Sequence, residues 1–179
     1  MNYQDIINFW FHPETQPNWF SKSPAFDQSL VSRFSGLHQQ AIQGELWSWR
    51  ETIQGRLAEI IVLDQFSRNM FRDTPRAFAQ DAQALSLAQE ALRSGEDERL
   101  ETIQRSFLYL PFMHSESTVI HIQALALYEK LGSPHHLDYE IRHKDIIDRF
   151  GRYPHRNQIL GRESTAEELM FLTQPNSSF

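Results

Sequence analysis

Residues 51–71, "ETIQGRLAEIIVLDQFSRNMF", constrain the fold more than any other stretch of the chain. Leu57, Ile60, Ile61, Val62, Leu63 and Phe66 cover much of a helix circumference rather than one stripe. A helix of that kind must be packed on more than one side, so the spacing predicts a central helix with others around it. Flanking segments supply them. Ile6, Ile7, Trp10 and Phe11 recur at helical spacing before Pro13. Ser23 and Pro24 read as N-cap and first residue of a second helix, whose Phe26, Leu30, Phe34 and Leu37 share a face.

Beyond the central helix, Thr74 as N-cap and Pro75 predict a fourth helix that Gly95 terminates. A fifth is expected over 97–110, ending before Pro111, and a sixth from a Ser115 cap to Leu131 and Gly132. "DYEIRHKDIIDRFG" predicts a seventh, stopped by Gly151, and "STAEELMFL" an eighth, with Ser164 and Glu167 as a capping box. No strand-like alternation competes. The expected architecture is all-α: about eight helices in antiparallel pairs within a single domain, residues 1–179, with 173–179 as a disordered tail.

Composition narrows the function classes. Cysteine is absent, which excludes disulfides, thiolate metal sites and a cysteine nucleophile, and fits a reducing compartment. The longest aliphatic run, Ile60 to Leu63, is too short to span a bilayer. "MNYQDIINFWFHPE" has no basic n-region, so a cytoplasmic protein is expected. The net charge of −6 argues against nucleic acid as a partner, and no membrane partner is expected. HExxH, GxSxG, P-loop and GxGxxG patterns are all missing, so neither a metal nor a cofactor is predicted. The adjacent His135 and His136 read as a solvated loop.

The charge is unevenly placed. Residues 142–162 hold six basic residues and two acids, a balance of +4 that leaves −10 for the rest of the chain. Arginine outnumbers lysine fourteen to three, and guanidinium forks match carboxylate and phosphate. In "FGRYPHRNQILGREST", Arg152, His155, Arg156, Asn157 and Arg162 lie between the end of one predicted helix and the start of the next. A helix start beside arginines suits an anion. Equally, an irregular loop needs side-chain ties, here to acids such as Asp64 and Asp81. In "LDQFSRNMFRD", Asp64 and Arg68 are helical neighbours, with Asn69 and Arg72 following. In "YLPFMHSES", His114 lies in a tight apolar connection near Tyr109. Glu116 is placed in the first turn of the sixth helix. His143 follows Tyr139 by four residues and faces either core or pocket.

Three blocks, "LDQFSRNMFRDTPRAFAQD", "FLYLPFMHSE" and "RFGRYPHRNQILGREST", together resemble an uncharacterised bacterial family, domain of unknown function family 924. The resemblance spans most of the chain, in block order and spacing. It implies an all-helical, tetratricopeptide-like fold and no established activity. It falls on Asp64, Gln65, Arg68, Asn69, Pro75, Arg76, Phe78 and Asp81 in the first block and on His114, Ser115 and Glu116 in the second. In the third it falls on Phe150 to Arg152, Pro154 to Asn157 and Leu160 to Arg162. The chain departs from the pattern at Tyr153, where phenylalanine is usual, and in "STVIHIQ".

These readings converge on a polar small-molecule pocket, with a small anionic carboxylate or phosphate compound as partner and enzymatic chemistry within reach. Asp64, Arg68, Asn69, Asp81, Tyr109, Glu116, Arg152, Arg156, Asn157 and Arg162 are the candidate ligand-binding residues. His114 and His155 are the candidates for proton transfer. The alternative is a non-catalytic helical-repeat module that binds a peptide or protein.

Overall fold

A computed structural model describes residues 1–178, and every regular element among them is helical. In chain order these are α1 (Tyr3–Trp10), α2 (Pro24–Ile42), α3 (Ile53–Ile61), α4 (Ser67–Met70), α5 (Asp81–Arg93), α6 (Thr102–Met113), α7 (Thr118–Leu131), α8 (Pro134–Phe150) and α9 (Ala166–Leu172). The chain forms two compact units. The first comprises Met1–Arg72 and Arg76–Pro111; the second comprises Asp73–Pro75 and the residues from Phe112 onward. No described helix is long and apolar enough to cross a membrane.

In the first unit α3 is the predicted central helix. Every residue from Leu57 to Ser67 is buried, and α3 packs against α1 and α5. The helix does not run uniformly. Val62–Phe66 widen into a π turn between α3 and α4, a feature the periodicity does not announce. Phe66 leaves this turn to meet Phe34 at 5.1 Å and Trp10 at 5.5 Å, and Trp10 meets Phe107 edge-on at 5.8 Å. Aromatic rings at these separations contribute beyond their area burial.

The short helical turn Trp47–Glu51 is fastened to α3 at two points. Glu59, fully buried, accepts from Arg50 Nε at 2.7 Å and Nη2 at 2.6 Å. Gly55 leaves room for the Trp49 carbonyl, which would stand 1.9 Å from any Cβ at this position. Glycine is required here by close approach and not by backbone angle.

In the second unit α7 and α8 form a hairpin, turned at Gly132 in the left-handed region with φ 73°. Gly151, with φ 68°, ends α8 as predicted. The chain then runs through a short helical turn, Pro154–Arg156, before α9. Ile146, Ile147 and Tyr153 form a buried cluster against Phe150 and Phe171.

Several boundaries differ from the sequence expectations. Pro75 opens only a short turn, Pro75–Ala77, and α5 starts at Asp81, whose carboxylate is clamped by Arg68. Pro111 lies inside α6, because burial of Phe107 to Leu110, Phe112 and Met113 outweighs the missing hydrogen bond. α7 is preceded by Ser117 rather than Ser115, so Glu116 lies outside the helix. α8 starts at Pro134 behind Ser133, which places His135 and His136 in its first turn and not in a loop. "SPHHLD" repeats the Ser-Pro signature that opens α2. The capping box of α9 is Thr165 with Glu168, one residue beyond Ser164 and Glu167. In the expected tail, Ser177 is buried and its hydroxyl donates to the Leu172 carbonyl at 3.1 Å; Phe179 lies outside the described residues.

Leu63→Ala, which empties a fully buried site, is expected to cost ~2–5 kcal/mol in urea melts. Two glycine substitutions should move in opposite directions. Gly36→Ala, exposed mid-helix with nothing within 4 Å of the new Cβ, should stabilise by ~0.5–1 kcal/mol. Gly55→Ala should destabilise despite the same propensity gain, and equal midpoints for the two variants would contradict the close approach at Trp49.

Candidate functional site

The segment from Gly151 to Thr165 closes short backbone turns of its own, such as the Arg162 N–H to the Asn157 carbonyl at 2.8 Å, and its side chains supply the ties to neighbouring elements. Arg162 grips Glu116 with both terminal nitrogens, Nη1 to Oε2 at 2.7 Å and Nη2 to Oε1 at 3.0 Å. The same carboxylate accepts the Tyr153 backbone N–H at 2.7 Å. Burial by itself would raise the Glu116 carboxyl. The Arg162 bond, the Tyr153 N–H and the charges of Arg156 and Arg162 reverse this and hold it below its ordinary value. Arg152 grips Glu168 in the same forked way, at 2.6 and 2.8 Å, and reaches the Glu163 carbonyl at 2.9 Å. That bond is the main cause that holds the Glu168 carboxyl down at about 2. Arg149 pairs with Glu167. Arg156 is buried, lies 4.7 Å from the centre of the Tyr153 ring, and donates to the His114 carbonyl at 3.0 Å. Asn157 donates to Ser164 Oγ at 3.0 Å, while its own Oδ1 has no hydrogen-bond partner among the described residues.

Behind this segment a polar cluster surrounds Tyr153. Its hydroxyl donates to the Met113 carbonyl at 2.5 Å and stands 3.2 Å from His121 Nε2. The rings of His143 and His155 pack against it at 5.7 and 5.5 Å. His143 Nδ1 lies 2.7 Å from the Tyr139 carbonyl, which fixes the hydrogen on that nitrogen. Burial lowers the His143 imidazole to about 3, against the pull of the Tyr139 carbonyl bond, so it is neutral at physiological pH. Tyr153 thus contributes a hydrogen-bonded hydroxyl as well as a buried ring.

Pro154, Leu169 and Leu172, together with the polar His155, Gln158, Arg162, Glu163 and Ser164, line the wall of an open cleft of ≈ 690 Å³. Of the predicted site residues, His155 and Arg162 reach this wall. Glu116 holds Arg162 from behind.

In the first unit, Arg68 bridges Asp64 at 3.0 Å and Asp81 at 2.9 Å, and Gln65 donates to Asp64 at 2.6 Å. This fastens the π turn to the start of α5. Asn69 and Arg72 both bond Asp27 of α2. Buried Tyr109 donates to Asp97 at 2.6 Å; burial first, and Asp97 next, raise its phenol well above the ordinary value. Among the described residues no group of three or more His, Asp or Glu is placed to hold a metal ion.

Sequence reasoning missed His121 and Glu140. They are separated by nineteen positions, and no local motif joins them. The signal lay in periodicity. Glu140 shares a helix face with His143 and Ile147, and His121 shares one with Ala124, Tyr128 and Leu131, all buried. A polar residue on an otherwise buried stripe calls for a buried partner.

The chain matches the model of a family described as bacterial protein of unknown function (DUF924) over residues 6–176. A solved structure of a protein of unknown function, ATU0120 from Agrobacterium tumefaciens, is similar at 41% identity and a TM-score of 0.88, covering 95% of this chain and 96% of that one. No curated protein matches.

The Glu168–Arg152 fork has a consequence in acid. A carboxyl held at about 2 stabilises the fold above the ordinary value of 4.5, and that contribution disappears as pH falls toward 2. Urea unfolding from pH 6 to 2 should show this loss in the wild type, and Glu168→Gln should flatten that part of the acid limb.

Proposed function

We propose, for a chain that belongs to the DUF924 family of bacterial proteins of unknown function, that the second unit binds a small anionic molecule. The carrying observation is the cleft that has Arg162 and His155 on its wall beside Pro154, Leu169 and Leu172. Its volume falls in the range of small-molecule sites, and a few polar groups beside apolar lining are the usual composition of such sites. The mixed lining favours a carboxylate or phosphate on an apolar body. Arg162 offers charge, and Ser164 and Gln158 offer orienting hydrogen bonds. His155 is the proton donor or acceptor that touches the ligand. Arg152 and Arg156 act through the segment they hold. Asp64, Arg68, Asn69, Asp81 and Tyr109 are not required by this reading.

A second reading has its own support. Arg149, Arg152 and Arg162 each already face a carboxylate, from Glu167, Glu168 and Glu116. On this view the arginine-rich segment is a structural clasp, and its charges serve the fold rather than a ligand.

Thermal shift in phosphate or malonate, compared with chloride at equal ionic strength, separates the two. An anion at ten times its Kd adds ~1.4 kcal/mol, or roughly 3–6 °C for a chain of this length. His155→Gln should abolish the increment with little change in the unliganded midpoint. The clasp reading expects a flat anion response and a loss of roughly 2–3 kcal/mol in Arg162→Gln, between the values for exposed and fully buried pairs.

A further inference from the structure

His121 of α7 and Glu140 of α8 are both wholly buried, with Nδ1 2.8 Å from Oε1. The surroundings of the other ring nitrogen decide how many protons the pair holds. Nε2 lies 2.9 Å from the Ser115 carbonyl, which can only accept, so Nε2 carries a hydrogen. The Tyr153 hydroxyl, 3.2 Å away, spends its own hydrogen on Met113 and turns a lone pair toward Nε2. With Nε2 protonated, the Nδ1–Oε1 contact needs one further proton, because a bare nitrogen and a bare carboxylate do not attract. Glu140 Oε2 is buried and has no hydrogen-bond partner among the described residues. A buried ionised oxygen left unmet costs more than an unmet carbonyl oxygen. The arrangement with least unmet is therefore a neutral Glu140 acid donating to the neutral ring of His121.

We propose that Glu140 and His121 form a buried proton-binding site whose proton holds residues 151–162 in place. This goes beyond the anion reading and does not depend on it. The connection is direct: His121 Nε2–H anchors Ser115 and meets Tyr153, and Tyr153 anchors its own segment to Met113. If the proton leaves, the ring keeps one hydrogen for two acceptors, so either the Glu140 carboxylate or the Ser115 carbonyl faces a bare nitrogen, and neither nitrogen is open to water. Opening the Tyr153 anchor relieves that repulsion. Burial pushes the Glu140 carboxyl above its ordinary value, against the pull of His121 and Lys144. The groups that bear on the pair are Lys144 one turn along α8, itself paired with Asp148, Tyr153 beyond His121, and around Tyr153 the rings of His143 and His155 and nearby His114.

The sign follows from proton counting. The closed form holds the shared proton, and an exposed histidine–carboxylate pair keeps it only up to about pH 6.5. Between the ordinary carboxylate value of about 4.3 and that value the two forms bind equally many protons. Above it, opening becomes more favourable by about tenfold per pH unit until the closed form also releases.

Amide hydrogen exchange of residues 151–162, corrected for intrinsic rates and followed from about pH 6 to 9, tests the proposal. Protection in the wild type should fall about tenfold per unit above ~6.5. Glu140→Gln places an amide N–H where the acid proton stood, so its protection should be flat over the same range. Matching pH profiles in the two proteins would overturn the proposal. If the variant does not fold, NMR of the Glu140 carboxyl and the His121 ring in the wild type decides. Retention of the shared proton to at least about a unit above 6.5 is expected, and its loss at or below 6.5 overturns the site.

Discussion

Glu116 is the carboxylate on which the second unit depends. It stands in the connection between α6 and α7 and receives three donors from a segment some forty residues later: both terminal nitrogens of Arg162 and the Tyr153 backbone N–H. A chain that leaves a helix at Gly151 and turns at Pro154 satisfies part of its backbone in short local turns, and charged side chains tie those turns to the rest of the unit. Once Tyr153 is held at its N–H, its ring enters the buried cluster and its hydroxyl reaches Met113. His155 and Arg162 then come to the cleft wall as a by-product of the anchoring.

The two units solve burial in different currencies. The first fills its interior with aromatic rings and aliphatic side chains around α3, and its buried carboxylates Glu59 and Asp64 are met by Arg50 and Arg68. The second encloses two tyrosines, two histidines, an arginine, an asparagine and two glutamates among its described residues. Such an interior is stable only if its donors and acceptors match, which makes proton count a structural variable. The π turn at Val62–Phe66 interrupts the run from α3 to α4, and it carries Asp64.

Local physics was legible in the chain. The all-round apolar run of α3, the helix-ending glycines at 132 and 151, and the four-residue spacing of Asp64 and Arg68 depend on neighbours within a turn or two, and each appears as read. The sequence by itself also determined that positive charge gathers in residues 142–162. Helix starts were less legible, since Pro75, Ser115 and Ser164 carry sound capping chemistry that other contacts displaced by one to several residues.

Tertiary structure alone decided which carboxylate meets which arginine. Glu116 reads locally as a helix-dipole residue, yet it faces Arg162, forty-six positions away, and Glu168 is a capping residue that also takes Arg152. The pairing of His121 with Glu140 likewise needs the α7–α8 hairpin to set two helix faces opposite each other. A guanidinium fits any carboxylate equally well, so charge and spacing do not choose between partners. The choice is made by the direction in which the backbone delivers each side chain, and that direction exists only after the helices have packed.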